Sequence, residues 1–437
     1  MTEGIPLGFT ATALVTQMRR QGVSQEAIGL FVGTLYLPWA WKWAMGPVVD
    51  LIASDRWGRR RGWILLTQVL MAATLLAGTL IDFAAQLPLF TALILLHNAC
   101  SATQDVAIDA LACSVLPQEE RGLANGLMFA GASLGQAVGG SGVLFLVPHV
   151  GFPATFVFVT ACLLAVTVFI ALPLREGSTA TLADSGRDAP RENPWSQVIR
   201  ELTAYIRKTV ASVLGHRASF LGVLFAALPA GSYALGLALQ TNLAVELGLA
   251  DEQIAWLNLF STVVFAVGCV SGGFVSDRWG RRLLLALYTL ATAVPAAWLG
   301  VTMLEHGWIL PIDPRLPDRP VPAASLVTVF WTAVVAYNVI SGLSYGTRMA
   351  LFMDITTPEV AATQFTAYMA LQNLAISYSS TWQGWSISHW GYPRTLFLDA
   401  GIGLVGLLLL PWLKPMQRLS TDETAPSSPA VPVPAAS

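Results

Sequence analysis

Charge is what this chain has least of. Of its 437 residues, 11% are Asp, Glu, Lys or Arg and 54% are hydrophobic. A soluble protein of that length would need a far more charged surface, so a soluble globular fold is excluded. Acidic and basic residues nearly cancel, at a net −2, which says little, because in a membrane protein the placement of charge matters more than its sum; no nucleic-acid partner is expected. Cysteine is sparse as well: Cys100, Cys113, Cys162 and Cys269 lie in apolar segments with no metal-type or redox-type spacing. They read as small apolar residues. The five histidines, at 97, 149, 216, 306 and 389, lie far from one another in sequence. An intramembrane enzyme would need a metal cluster or a nucleophile–base pair, and neither is legible, so no metal or cofactor is expected. No basic leader precedes the first apolar segment, so no cleavable signal peptide is expected.

Long apolar stretches, by contrast, recur along the whole chain, at mean hydropathy +0.60. Twelve candidate spans can be drawn, roughly at 3–18, 27–49, 63–84, 88–113, 122–147, 152–173, 218–244, 253–275, 283–304, 324–353, 363–388 and 395–413. All but the first are near or above the ~20 residues that a helix needs to cross the hydrocarbon. The first is short and carries Glu3: either the chain starts late relative to its relatives, or this helix is short and tilted. The heptapeptide from Ser54 to Arg60 recurs letter for letter from Ser276 to Arg282, each time between two apolar segments. Such a repeat marks an internal duplication. The expected fold is an all-α membrane protein with twelve transmembrane helices in two six-helix, pseudo-symmetric bundles. The expected division is a bundle at 1–173, a linker at 174–217, a bundle at 218–413 and a disordered tail at 414–437. A monomeric transporter of a small-molecule substrate, seated in the lipid bilayer, is the function this architecture favours.

Lys and Arg set the orientation. With a cytoplasmic N-terminus, the opposite side holds only Arg19, Arg20, Arg315, Arg319 and Arg394, so both termini are expected to be cytoplasmic. Residues 175–194 are rich in Gly, Ser, Asp and Pro and read as a flexible linker. After them Trp195, Val198, Ile199, Leu202, Tyr205, Ile206, Val210 and Val213 recur at helical spacing, with Arg200, Arg207 and Lys208 between them. This is an amphipathic helix that either lies on the inner membrane surface or packs beneath the bundle.

Each half carries a Gly four residues before an Asp at the inner end of an even-numbered span: Gly46 with Asp50, and Gly273 with Asp277. An Arg-rich turn follows each. A carboxylate there can accept from the next helix's N-terminus, and the arginines can bridge neighbouring helix ends, making a latch that breaks when the halves rock. The pattern resembles motif A of the major facilitator superfamily, Gly-x-x-x-Asp-Arg-x-Gly-Arg-Arg. Gly273, Asp277, Arg278, Arg281 and Arg282 fit it closely. In the first copy Gly46 and Asp50 are separated from Asp55, Arg56, Arg59 and Arg60 by extra residues, so the latch role falls to Asp50 or to Asp55. Anchoring by positive charge alone would require neither Asp nor Gly.

The fourth span carries His97, Asn98, Ser101, Gln104, Asp105 and Asp109 inside an apolar run. At ~100° per residue they share an arc of roughly 140°, hence one face. A carboxylate in the bilayer is expensive and marks a functional site. Two of them at i and i+4 repel when both are ionised, which suits a group that loads and releases a proton. Lys42 in the second span is the natural counter-charge. The plainer alternative for Asp109 is a pairing with Arg121, and for His97 a satisfied core position. The tenth span carries Asn338, Tyr345, Arg348 and Asp354. Arg348 suits an anionic group on the substrate or a pairing with Asp354. Gln372 and Asn373, with Gln364, Tyr368, Tyr378 and Gln383, add hydrogen-bonding groups in the eleventh span, some for a cavity and some for neighbouring helices. Gly131, Gly135 and Gly139, spaced by four, point to close helix packing. The Gly-x-Ser-x-Gly match at 131–135 lies inside an apolar helix, not at a strand-to-helix turn, so it is not read as a hydrolase elbow.

Beyond that motif, the first third of the chain resembles the AmpG-type muropeptide permeases and the related acetyl-coenzyme A transporters. The likeness rests on Leu37 to Lys42, Gly46 to Asp50 and Gly58 to Trp63. It is most specific from Ser101 to Ala110, followed by Leu116-Pro117 and Glu119 to Gly122. It implies a proton-driven importer of the inner membrane, with Gln104, Asp105 and Asp109 in the functional stripe and Lys42 nearby. Siderophore permeases of the pyochelin and rhizobactin type belong to the same broad group with about twelve spans, so siderophore uptake stays open beside muropeptide uptake. A sensor that moves no solute would need a large cytoplasmic signalling domain, and the loop and tail are too small for one.

Overall fold

The structure, a computed structural model, describes residues 1–52, 58–115, 121–174, 194–356 and 361–413. Twelve up-and-down spans can be traced among them. The first is α1, residues 4–20, loosened to a π-helix over Phe9–Leu14. The second is α2 (Gln25–Ala40), a 3-10 turn at Lys42–Ala44, then α3 (Met45–Leu51). Then come α4 (Arg59–Gly78), α5 (Leu87–Val115), α6 at 121–150 and α7 (Phe152–Ala171). The linker helix is α8 (Pro194–Gly215). The seventh span is α9 (Arg217–Ala227) and α10 (Ala238–Glu246). The rest are α11 (Asp251–Trp279), α12 (Arg281–Glu305), α13 (Ala324–Asp354), α14 (Ala361–Trp390) and α15 (Tyr392–Trp412). Seven of the described helices are long and apolar enough to cross a bilayer by length and composition alone. The others are broken, or carry polar stripes that lower their hydropathy. The seventh span is therefore not the continuous helix the hydropathy pattern suggests.

Local chemistry explains the punctuation. Ser24 caps α2 by accepting from the Ala27 N–H at 3.2 Å. Gly280, at φ +93°, lets the chain turn directly from α11 into α12, a backbone state costly for any residue with a Cβ. Pro38 lies in the last turn of α2, just before the helix gives way to the turn that carries Lys42.

Small residues set the close packings. A Cβ on Gly139 would sit 1.8 Å from the Ile5 carbonyl oxygen, and one on Gly135 2.9 Å from the Ile5 nitrogen, so α6 and α1 meet backbone to backbone. The packing role expected for this glycine run is the one observed. Between the halves, α2 runs along α14: a Cβ on Gly29 would lie 2.6 Å from the Ser380 carbonyl oxygen. The seam between α6 and α11 holds Asn258, which donates to the Ser141 hydroxyl at 2.9 Å, and an edge-to-face pair of Phe145 with Trp256, centroids 5.3 Å apart.

These seams lie away from the Arg-rich hairpins. One cluster of buried side chains, including Leu14, Phe31, Leu243, Leu257 and Leu396, runs through both halves towards the end opposite the hairpins, here the far end. Towards the hairpin end the described core divides. Val49, Ile64 and Ala107 form one cluster in the first half, and Phe225, Leu351 and Tyr368 another in the second. Among the described residues, the halves thus share a buried core at the far end and have separate cores at the hairpin end. There α8 touches both α3 and α14. It packs beneath the bundle, one of the two alternatives for the amphipathic helix, and leaves Trp195, Ile199, Ile206 and Val210 exposed.

Candidate functional site

The turn at Lys42–Ala44 aims the Lys42 ammonium at α5. Its Nζ donates to Asp105 Oδ2 at 2.5 Å and to Asp109 Oδ2 at 2.8 Å, one helical turn apart on one face. The Asp105 side chain is 19% exposed and the Asp109 side chain 48%. Asp109, the nearer of the two to the hairpin end, is therefore the more exposed. Its partner is Lys42. The Arg121 side chain lies outside the described residues. The start of α1 completes the cluster. Gln104 Nε2 donates to the Thr2 hydroxyl at 2.9 Å, and Trp39 Nε1 donates to Glu3 at 3.1 Å. Glu3 lies within electrostatic reach of Asp105, Lys42 and Asp109. The Lys42 ammonium thus holds two carboxylates, with Glu3 and the Met1 amino group close by.

The remainder of the stripe serves α5 itself. Asn98 donates to the Leu35 carbonyl at 3.2 Å and so ties α5 to α2. His97 is fully buried, with Nδ1 2.9 Å from the Thr74 hydroxyl and 3.2 Å from the Met71 carbonyl on α4. That is the satisfied-core alternative for His97, although its Nε2 has no partner among the described residues. The Ser101 hydroxyl is likewise buried without a described partner.

The second half departs further from expectation. Arg348 does not pair with Asp354. It is fully buried and donates to the carbonyls of Phe225 at 2.9 Å and Leu228 at 3.2 Å, where α9 ends. Asp354 instead takes Arg281, at 2.6 Å, and so belongs to the hairpin. Asn338 and Asn373 bond back to their own helices, at Val334 and Met369. Tyr345 sits with its ring centroid 5.8 Å from that of Phe265. Gln372 is buried, with its Oε1 unpartnered among the described residues. Gln364 and Tyr368 bond Ser219, Tyr378 bonds the Ala227 carbonyl and Gln383 bonds Asp399. Most of the eleventh span's polar groups therefore hold helices together.

In the second hairpin Arg281 bonds Asp277 at 2.7 Å as well as Asp354, and also the Ala350 carbonyl at 3.0 Å. Arg278 lies over the Phe274 ring, 5.6 Å from its centroid, and Arg282 reaches the Pro411 carbonyl at 3.5 Å. The cluster therefore joins α11 and α12 to α13 inside one half. Among the described residues, neither Gly46 nor Gly273 is closely approached. Asp55 and Arg56 lie outside the described residues, as do the side chains of Asp50 and Arg59.

Where the halves do lock is the far end. Arg19 of α1 donates to Glu246 of α10 at 2.6 Å, with side chains 5% and 0% exposed. Gln25 donates to the same carboxylate and to the Tyr392 hydroxyl, each at 2.6 Å. Arg20 pairs with Asp251 at 2.6 Å. Sequence reasoning missed this lock, although Arg19 and Arg20 stood out as the exceptions to the charge bias.

A family profile described as Major Facilitator Superfamily matches residues 3–380. The chain belongs to the major facilitator superfamily. Within it, the chain is similar to the anhydromuropeptide permease of Escherichia coli K12, 26% identical over 419 residues that cover 93% of this chain and 76% of that protein. It is also similar to a putative transporter, AmpG 4, of Rickettsia conorii, 26% identical over 64% of this chain and 66% of that one. Among solved structures, a D-xylose-proton symporter aligns at TM-score 0.68 and 14% identity, covering 94% of this chain and 95% of that one. A POT family transporter in complex with a thioalcohol-conjugated peptide aligns at 0.63 and 10%, covering 94% and 92%. At that identity these structures establish the facilitator fold alone. The protein is accordingly a multi-pass transporter of the inner membrane, acting on small molecules, and not an enzyme.

Proposed function

We propose that this facilitator is a proton-coupled importer of anhydromuropeptides, and that Lys42 with Asp105 and Asp109 forms its coupling site. The observation that carries the reading is the Lys42 ammonium shared between two carboxylates, with a third, Glu3, close by. Lys42 alone cannot balance both of its carboxylates in a low-dielectric setting, and a proton is the natural compensation. Protonating Asp105 or Asp109 removes one charge and leaves Lys42 a single carboxylate to hold, which weakens the tie between α2 and α5. The Lys and Arg bias puts the hairpin end and both termini in the cytoplasm. The split core then corresponds to a state open inward, with the Arg19–Glu246 lock shut outside. The chain works as a monomer, its bundles at 1–173 and 218–413 rocking about the site. The substrate class comes from the similarity to the Escherichia coli permease. Uptake of a siderophore is the second reading, favoured by the twelve spans traced among the described residues.

Asp105→Asn tests the coupling. It is expected to abolish accumulation against a gradient and to spare counterflow exchange in proteoliposomes. Unchanged uphill uptake would rule the role out. Labelled anhydromuropeptide and ferric siderophore, compared side by side in cells lacking their own permeases, decide the substrate.

A further inference from the structure

The seventh span is interrupted on purpose-built chemistry. Between α9 and α10 lie Pro229, which has no N–H to donate, and Gly231 at φ +103°. Each broken end has its own buried charge. At the α10 side, Asp399 of α15 accepts from the Ser232 hydroxyl at 2.5 Å and from the N–H groups of Tyr233 at 2.7 Å and Ala234 at 2.9 Å. Gln383 gives it a further bond at 2.7 Å. At the α9 side, Arg348 caps the Phe225 and Leu228 carbonyls through Nη2, and the Tyr378 hydroxyl caps Ala227 at 2.7 Å.

The two ends are not equally satisfied. Asp399 is surrounded by four donors. Arg348 has two nitrogens, Nε and Nη1, without an acceptor, and no carboxylate within ion-pair distance among the described residues. The faces of Phe225 and Phe352, at 4.7 and 5.3 Å, and the helix end offset part of its charge. A fully buried guanidinium left with open donors is an expensive arrangement for a cap that a neutral side chain could supply. The Tyr233 side chain, on the broken segment, lies close enough to the guanidinium to interact with it, although outside hydrogen-bond geometry to Nε and Nη1. Tyr378, whose hydroxyl meets the α9 end, is 39% exposed in the middle of α14.

We infer that the interruption of the seventh span is a carboxylate-binding subsite, in which Arg348 and the Tyr233 hydroxyl take one carboxylate of the transported solute when the broken segment shifts. Asp399 is a positioning residue: by engaging the α10 end it keeps its own charge away from Arg348 and holds Tyr233 in register. A single cation selects a single carboxylate, and the aromatic rings around it suit the apolar part of an amphipathic acid. This deepens the transporter reading and rests on it, but does not depend on the solute being a muropeptide.

The test measures binding to the purified full-length transporter in detergent, using two ligand pairs, each a carboxylate with its carboxamide. One pair is an anhydromuramyl disaccharide and the other an N-acetylated dipeptide. Wild type is expected to prefer the carboxylate of at least one pair by about tenfold, the worth of one charge-assisted bond. Arg348→Gln is expected to abolish that preference while keeping carboxamide binding. Tyr233→Phe, which leaves the guanidinium in place, is expected to weaken the carboxylate alone. Discrimination confined to the dipeptide pair upholds the subsite and counts against the muropeptide substrate. No discrimination by wild type in either pair overturns the subsite. So does equal weakening of both members of a pair by both variants, because a purely structural cap is blind to ligand charge.

Discussion

Lys42 holds Asp105 and Asp109 together from a turn, not from a regular helix, so its reach depends on the break after Ala40. Replacing it with Met leaves two carboxylates one turn apart without a cation. Lys42→Met is expected to abolish uptake in whole cells, and the double variant with Asp109→Asn to recover thermal stability without recovering transport. Full uptake by the single variant would remove Lys42 from the site. Asp399 gives a second residue-scale expectation. Asp399→Ala strands the Ser232, Tyr233 and Ala234 donors inside the protein, and the loss expected is about 2–4 kcal/mol, read as a lower melting temperature in detergent. The acids of the fourth span and Lys42 were legible because ionisable groups in an apolar run are conspicuous. Glu3 was seen but not assigned, because which helix faces α5 is a matter of packing. Asp399 went unread because it is a lone acid in its span, with nothing in the sequence to show the backbone amides it serves.

At the scale of elements, composition marked where spans lie better than how they are built. The first, second and seventh spans change backbone form at Phe9–Leu14, at Lys42–Ala44 and between α9 and α10, yet a hydropathy average is blind to backbone form. Pro229 and Gly231 were the available signals for the third of these. Small residues were more informative: the glycines of α6 predicted close approach, and α1 supplies the partner. The seam of α2 with α14 obeys the same rule. Gly384→Val would drive a side chain towards the Gln25 carbonyl oxygen, which lies 2.5 Å from where a Cβ would stand. The expected outcome is a far end that no longer shuts, seen as faster labelling of a cysteine placed in the far-end seam. Unchanged labelling would show that the seam yields elsewhere.

For the whole molecule, the described core is shared by the halves at one end and divided at the other. The far end carries the shared apolar cluster and the buried Arg19–Glu246 pair, whereas the hairpin end has a separate cluster in each half. Removing one member of a buried ion pair costs about 3–5 kcal/mol, enough to reverse a two-state balance of similar size. Arg19→Ala is therefore expected to move the population towards a far-end-open state, with spin labels on the far ends of α1 and α10 reporting a longer distance. An unchanged distance distribution would make the pair a fixed strut. By itself, the sequence determined the fold class, the duplication, the place of the charged hairpins and the identity of the costly acids, because a bilayer penalises every charge in a run of apolar residues. The tertiary structure alone decided who meets whom. It gave Asp354 to Arg281, left Arg348 with a broken helix end, and brought Glu246 across to Arg19. Those partnerships follow from the packing of helices far apart in the chain, which no local pattern of residues encodes.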